Sequence, residues 1–245
     1  MYFAPKKSDN SRLGLSHLKT IHYWHRPGGG LVEVIEKMRE KGITDPTLLG
    51  TSYMELYIGS LLGLGLQESE KLDFWIGKPK EDPPDLAFMT MVFDEKERLY
   101  FHSREVEITR YRKQDKSLIQ TILDKDKHYP GDYIIVCFLE FNGHEELKKI
   151  SEELIGQLKN IHHVFLVFHG MHFVYLKEPP RKEDLAGKTS IVQLSPIFST
   201  QEINLKESLE KWRLDNKKLA YLDNAKVFYG KRDEETIYPK IIKPN

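Results

Sequence analysis

Cysteine is almost missing from this sequence: Cys137 is the one cysteine among 245 residues. No disulfide can close within the chain, which excludes a disulfide-stapled scaffold and makes a reducing compartment the expectation. Cys137 stands in the apolar run Tyr133–Leu139. Such surroundings raise a thiol pKa, so it reads as a core filler rather than a nucleophile. Net charge is missing as well, with 37 basic residues against 37 acidic ones. A protein that coats DNA non-specifically needs a basic excess, so that class is disfavoured, although a local basic cleft around an acidic site is not. Long apolar runs are absent: no window approaches the ~18 residues of a membrane span. Met1–Ser11 is polar and lacks the apolar stretch of a signal peptide. The expectation is a cytoplasmic chain with no membrane partner. There is no internal repeat, cysteine cluster, HExxH, GxSxG elbow or kinase signature.

What is present is a core-forming composition, with 40% hydrophobic, 11% aromatic and 30% charged residues. That fits one domain with helical additions at its ends. Residues 1–50 read as an N-terminal helical extension, 51–178 as an α/β core and 179–245 as a C-terminal helical extension packed on it. Pro27-Gly28-Gly29-Gly30 reads as a flexible loop, too poor in lysine to be a P-loop. Leu31–Lys41 follows as a helix ended by Gly42. A second helix is expected over Ser52–Leu62, closed by Gly63 and Gly65. The pattern then changes to period two. Leu72–Ile76, Asp85–Phe93 and Leu99–Tyr111 read as strands, the last two paired through the charged tip Asp94–Arg98. Lys116–Lys127 is an amphipathic helix, Tyr133–Glu140 a strand buried on both faces, and Glu145–Leu158 a further helix. Val164–Phe168 and Phe173–Leu176 read as strands, 178–190 as a loop, and Asn204–Leu222 as a last helix. A mixed sheet with helices on both faces follows.

The chemistry concentrates on the long strand, Arg104-Glu105-Val106-Glu107-Ile108-Thr109-Arg110. Side chains alternate across a strand. Val106 and Ile108 therefore face a covering helix, and Glu105, Glu107 and Thr109 face the other way. A row of carboxylates on a mostly buried sheet is costly unless something compensates it, and a divalent cation would. Asp85, after Pro84, enters the preceding strand, and a turn near Glu95–Lys96 sets Asp85 close to opposite Glu107 across the ladder. Two hard oxygen ligands with room for water suit Mg²⁺ or Mn²⁺.

These residues resemble the PD-(D/E)XK, restriction endonuclease-like, nuclease superfamily. That family carries an aspartate, often after proline, and then a strand of hydrophobic–Glu–hydrophobic–Lys; this chain has Pro84-Asp85 and Val106-Glu107-Ile108-Thr109. The order of elements is similar over about residues 50–176, from a helix bearing Glu55 to the helix and buried strand that follow the Glu-bearing strand. The resemblance implies a Mg²⁺- or Mn²⁺-dependent endonuclease acting on DNA, or on RNA. Asp85 and Glu107, with the carbonyl of Ile108, would hold the ion. Glu105 or Thr109 would sit beside the attacking water, and Glu55 would reach a second ion or a metal-bound water. Arg104, Arg110, Arg112 and Lys113 would meet the phosphate backbone. Many members of the family act as homodimers, which a neutral charge permits.

Thr109 departs from the family pattern, because it stands where the lysine belongs and supplies no charge. Three readings follow: the register is Glu105-Val106-Glu107, with a glutamate in the lysine slot as some restriction endonucleases of the family tolerate; a cation migrates in from elsewhere (Arg104, Arg110, Arg112 or Lys113); or the site is dead and the fold binds nucleic acid or protein without hydrolysis. Alternating charges are also what any half-exposed strand shows, and Asp85 is a common turn residue after proline. The pairs His22/His25 and His169/His172 have ligand-like spacing but no accompanying motif, and read as structural or surface residues.

Overall fold

The computed structural model describes residues 24–71, 74–79, 84–93, 99–112, 117–129, 133–139, 147–168, 188–208, 210, 228–229 and 239–240. The expected hairpin tip at 94–98, the strand at Phe173–Leu176, Lys113, His22 and the pair His169/His172 lie outside these residues.

Eight strands form one sheet in chain order: β1 (Trp24–His25), β2 (Phe74–Gly77), β3 (Leu86–Phe93), β4 (Leu99–Tyr111), β5 (Ile134–Leu139), β6 (His163–Phe168), β7 (Lys188–Ser195) and β8 (Ser199–Asn204). The pairs β4–β5 and β5–β6 are parallel, and the other neighbours are antiparallel. Parallel neighbours need a crossover, usually a helix. α3 (Leu118–Asp126) lies between β4 and β5 in sequence, and α4 (Leu147–Ile155) lies between β5 and β6. The molecule is therefore an α/β protein with a mixed sheet. No helix among the described residues is long and apolar enough to cross a membrane.

The sheet separates two apolar cores. On one face Ile76, Phe88, Val106, Ile108, Val136 and Phe165 pack with α1 (Pro27–Lys41) and α2 (Thr51–Glu70). On the other, Tyr133, Ile135, Cys137, Leu166 and Val192 pack with Leu118 and Ile122 of α3 and Leu154 of α4. Alternation along β4 and β5 is what divides them. α3 opens on Ser117, whose hydroxyl accepts from the Gln120 N–H at 3.2 Å. This cap satisfies one of the orphan donors of the first turn. At its other end the buried carboxylate of Asp126 accepts from the N–H groups of Lys159, Asn160 and Ile161 at 3.0, 2.9 and 2.7 Å. That cradle fixes the end of α3 to the segment entering β6.

Three sequence expectations are corrected. Pro27–Gly30 is the first turn of α1 rather than a loop, because Pro27 suits the first helical position. Buried Gly30 also lets α1 approach Ser60 and Leu56 of α2. α2 runs through Gly63 and Gly65 to Glu70. These glycines are clearances, not terminators: a Cβ on Gly63 would stand 2.7 Å from Pro27 Cγ, and one on Gly65 would press on Ile191 and Ile203. Finally, residues 188–204, expected to fall within a C-terminal helical extension with 188–190 closing a loop, form the antiparallel pair β7–β8 at the sheet edge. The helix expected from Asn204 is described only over 205–208 and at 210.

Candidate active site

β3 and β4 pair in continuous register, with Leu86 opposite Val106 and Ala87 opposite Glu105. One step beyond Leu86, the Asp85 carboxylate accepts a hydrogen bond from the Ile108 N–H at 2.7 Å. It takes the place of a ladder carbonyl, so its oxygens stand at the peptide that joins Glu107 to Ile108.

Glu105 and Glu107 are both buried on the face covered by α3. Glu107 is 5% exposed. Its Oε1 accepts from Lys125 Nζ at 2.5 Å, and its Oε2 is buried without a hydrogen-bond partner. Lys125 belongs to the last turn of α3 and keeps 31% of its side chain exposed, so it reaches from solvent to a buried acid. Glu105 is hydrogen-bonded by the hydroxyl of Tyr133. Burial first, and then that bond and the charge of Glu105, push the Tyr133 phenol well above its ordinary pKa, keeping it a neutral donor. The Tyr133 ring packs against Tyr129 with centroids 4.7 Å apart, and the Lys125 ammonium lies 5.7 Å from the Tyr129 centroid.

The remaining predicted residues are placed as follows. Thr109 is half-buried, opposite Cys137 in the parallel ladder. Burial pushes the Cys137 thiol up to about 12, against a smaller lowering by Lys125. Arg104 is buried, and strand alternation puts it and Arg110 on the face of Val106 and Ile108, away from Glu105 and Glu107. Arg112 is exposed at the end of β4. Glu55 lies on α2, packed on that same second face, where Lys78 bonds it and also donates to Ser52 Oγ at 2.8 Å.

Asp85, Glu107, Glu105 and the Ile108 peptide are thus neighbours, while Arg104, Arg110 and Glu55 belong to the other side of the sheet. Lys125, Tyr129 and Tyr133 were not singled out from sequence. The usable signal was the spacing Lys125–Tyr129, four residues apart where α3 ends.

Among the described residues no group of three or more His, Cys, Asp or Glu is arranged to hold a metal ion. Asp85, Glu105 and Glu107 do not close into a three-acid cage. The observation that fits a cation is narrower: a carboxylate oxygen, Glu107 Oε2, lies buried and unsatisfied on the residue next to Ile108, whose N–H donates to Asp85. Buried acceptors in that condition are costly and call for a partner. No family model, no curated protein and no solved structure matches the chain significantly.

Proposed function

We propose that the protein is a metal-dependent phosphodiesterase acting on DNA, built on a restriction endonuclease-like core, with its essential cation supplied by Lys125 of α3. The observation that carries the reading is the juxtaposition of Asp85 at the Ile108 N–H, Glu107 with one oxygen unsatisfied, and Lys125 at 2.5 Å from the other oxygen. The succession α2-β2-β3-β4-α3-β5, with β4 and β5 parallel, supports it as the order expected of that core. Lys125 reaches from a helix the place that Thr109 cannot serve from the strand.

Asp85 and Glu107 are the residues that would hold Mg²⁺ or Mn²⁺. When bound, such an ion lowers the pKa of a coordinated water and offsets phosphate charge. Lys125 positions the attacking water and stabilises negative charge on the phosphate in a partly desolvated pocket. Glu105, fixed by Tyr133, keeps a second acceptor on the same face for the water's proton. The test is cleavage of plasmid and oligonucleotide DNA with Mg²⁺ or Mn²⁺ by the full chain and by Asp85→Ala and Glu107→Ala, with Mn²⁺ binding followed in parallel. The expected result is cleavage and Mn²⁺ binding that both variants lose. No cleavage together with no Mn²⁺ binding by the wild type removes the hydrolase.

A second reading has its own observation. Lys125 already neutralises Glu107, and an acid so paired serves a binding protein that hydrolyses nothing. Under this reading the chain binds DNA equally well with and without divalent ions.

A further inference from the structure

A cavity of about 290 Å³ opens beside Lys125, lined by Thr121, Asp124, Lys125, His128 and Tyr129. Thr121, Asp124 and Lys125 lie on α3, and His128 and Tyr129 lie in the turn that follows it, where both backbone N–H groups bond the Lys125 carbonyl. Lys125 belongs to both places: its ammonium bonds buried Glu107, and its stem walls the cavity. The volume is at the lower end of the ~300–1,000 Å³ of small-molecule pockets, which suits one flat group and not a duplex.

The polar groups around the cavity are largely engaged along the helix. The Thr121 hydroxyl donates to the Ser117 carbonyl at 3.2 Å. Asp124 accepts from Gln120 Nε2 and Lys127 Nζ, each at 2.8 Å. What the cavity offers is the half-buried ring of Tyr129 beside a cation. Tyr133 packs against that ring at an interplanar angle of 37°, and Tyr133 is itself anchored on Glu105. An aromatic ring with the ammonium that Lys125 shares with Glu107 at 5.7 Å from its centroid supplies a plane for a base and a cation that a phosphate would compete for.

We propose that this cavity is a base-stacking subsite, in which Tyr129 receives the unpaired DNA base adjoining the phosphate held at Lys125. The subsite takes its ligand class from the phosphodiesterase reading, and it makes single-stranded or unpaired DNA the preferred substrate over intact duplex.

The experiment is fluorescence anisotropy with a labelled single-stranded oligonucleotide in EDTA, where no cleavage occurs. Wild type is compared with Tyr129→Phe and Tyr129→Ala, and each protein is titrated with the same oligonucleotide carrying a single abasic position, scanned along the strand. Tyr129→Phe should bind within about twofold of wild type. Tyr129→Ala should bind roughly tenfold more weakly, the loss of one stacked base. At one position the abasic strand should cost wild type the same factor and cost Tyr129→Ala nothing further. Wild type insensitive to every abasic position overturns the subsite, and that arm does not depend on how a variant folds. Equal losses for Tyr129→Phe and Tyr129→Ala also overturn it. Failure of the hydrolase reading is separately visible: the abasic coupling then persists while no divalent ion supports cleavage.

Discussion

Glu55 on α2 and Glu107 on β4 are buried to the same degree, with 7% of each side chain exposed, and each meets one lysine, Lys78 and Lys125. Their surroundings differ. Lys78 also donates to Ser52 at the start of α2, so that pair ties the helix to the end of β2. Neither Glu55 oxygen is among the described buried atoms left without a partner, whereas Glu107 Oε2 is. Glu107 also has a second acid, Glu105, on its face and an aromatic pair beside its lysine. The same two residue types make a closed fastening on one face and an unfinished polar cluster on the other. Buried charge by itself does not mark a site; a buried carboxylate oxygen left without a partner calls for one.

Substituting the two acids in turn should separate the two pairs. Glu107→Gln keeps the volume and removes the charge, and metal-dependent cleavage should fall at least about 10²–10³-fold, the scale of losing one group that stabilises developing charge. Glu55→Gln should leave the cleavage rate within a few-fold and act on thermal stability. Equal losses of activity in both variants, measured as initial rates on one oligonucleotide, would show that the two pairs serve one site.

Lys125→Met should separate architecture from chemistry. Alone it leaves Glu107 buried without its partner, at a cost of about 3–5 kcal/mol, and lowers cleavage by about 10²–10⁴-fold. The double variant Lys125→Met/Glu107→Leu replaces the pair by apolar groups, a change that is often neutral for folding. Its melting temperature should return toward wild type while cleavage stays absent. Recovery of cleavage in the double variant would show that neither residue takes part in the reaction.

How far the sequence carried this follows from the same residues. β4 was readable end to end, because Glu105, Glu107 and Thr109 alternate with Val106 and Ile108 and the pleat turns that alternation into two faces. The approach of Asp85 to the Glu107–Ile108 peptide followed from the length of the hairpin. Lys125 was not readable, since its reach to Glu107 depends on how α3 lies across β4, which amphipathicity alone does not fix. Gly63 and Gly65 were misread because a glycine that makes room for a neighbour is indistinguishable in sequence from one that ends a helix. The β7–β8 pair was missed because its polar residues, Ser190, Gln193 and Ser199, mask the apolar alternation on the inner side.

The remaining predictions concern the scaffold that holds the two faces in place. Asp126→Ala removes one acceptor from three backbone N–H groups and should destabilise by about 3 kcal/mol, more than a single charged hydrogen bond is worth. At the ~2–4 °C per kcal/mol expected for a chain of this size, that lowers the melting temperature by roughly 6–12 °C. Because Asp126 adjoins Lys125, cleavage should also become heat-sensitive at lower temperature. Gly63→Ala on the opposite face drives a methyl against the Pro27 ring, and its overpacking cost of about 1–3 kcal/mol exceeds the ~1 kcal/mol gained in helix propensity. The net destabilisation should be smaller than for Asp126→Ala and should leave the cleavage rate of the folded protein unchanged.

The smallest effect is expected at Cys137, and it tests the electrostatics of the α3 face without any DNA. With the folded thiol raised to about 12 from 9.0, the thiolate fraction at pH 8 is on the order of 10⁻⁴. Ellman's reagent should therefore label the native protein only at the rate of its unfolding. The sign is that of a group favoured in its neutral, protonated form by folding. Its contribution is fully present below pH 9 and is lost as pH rises from 9 toward 12. Alkaline unfolding of Cys137→Ala should accordingly be less steep over that window than wild type. Lys125→Met, destabilised because Glu107 loses its partner, should be labelled faster in step with its greater unfolding, and Lys125→Met/Glu107→Leu should return toward the wild-type rate.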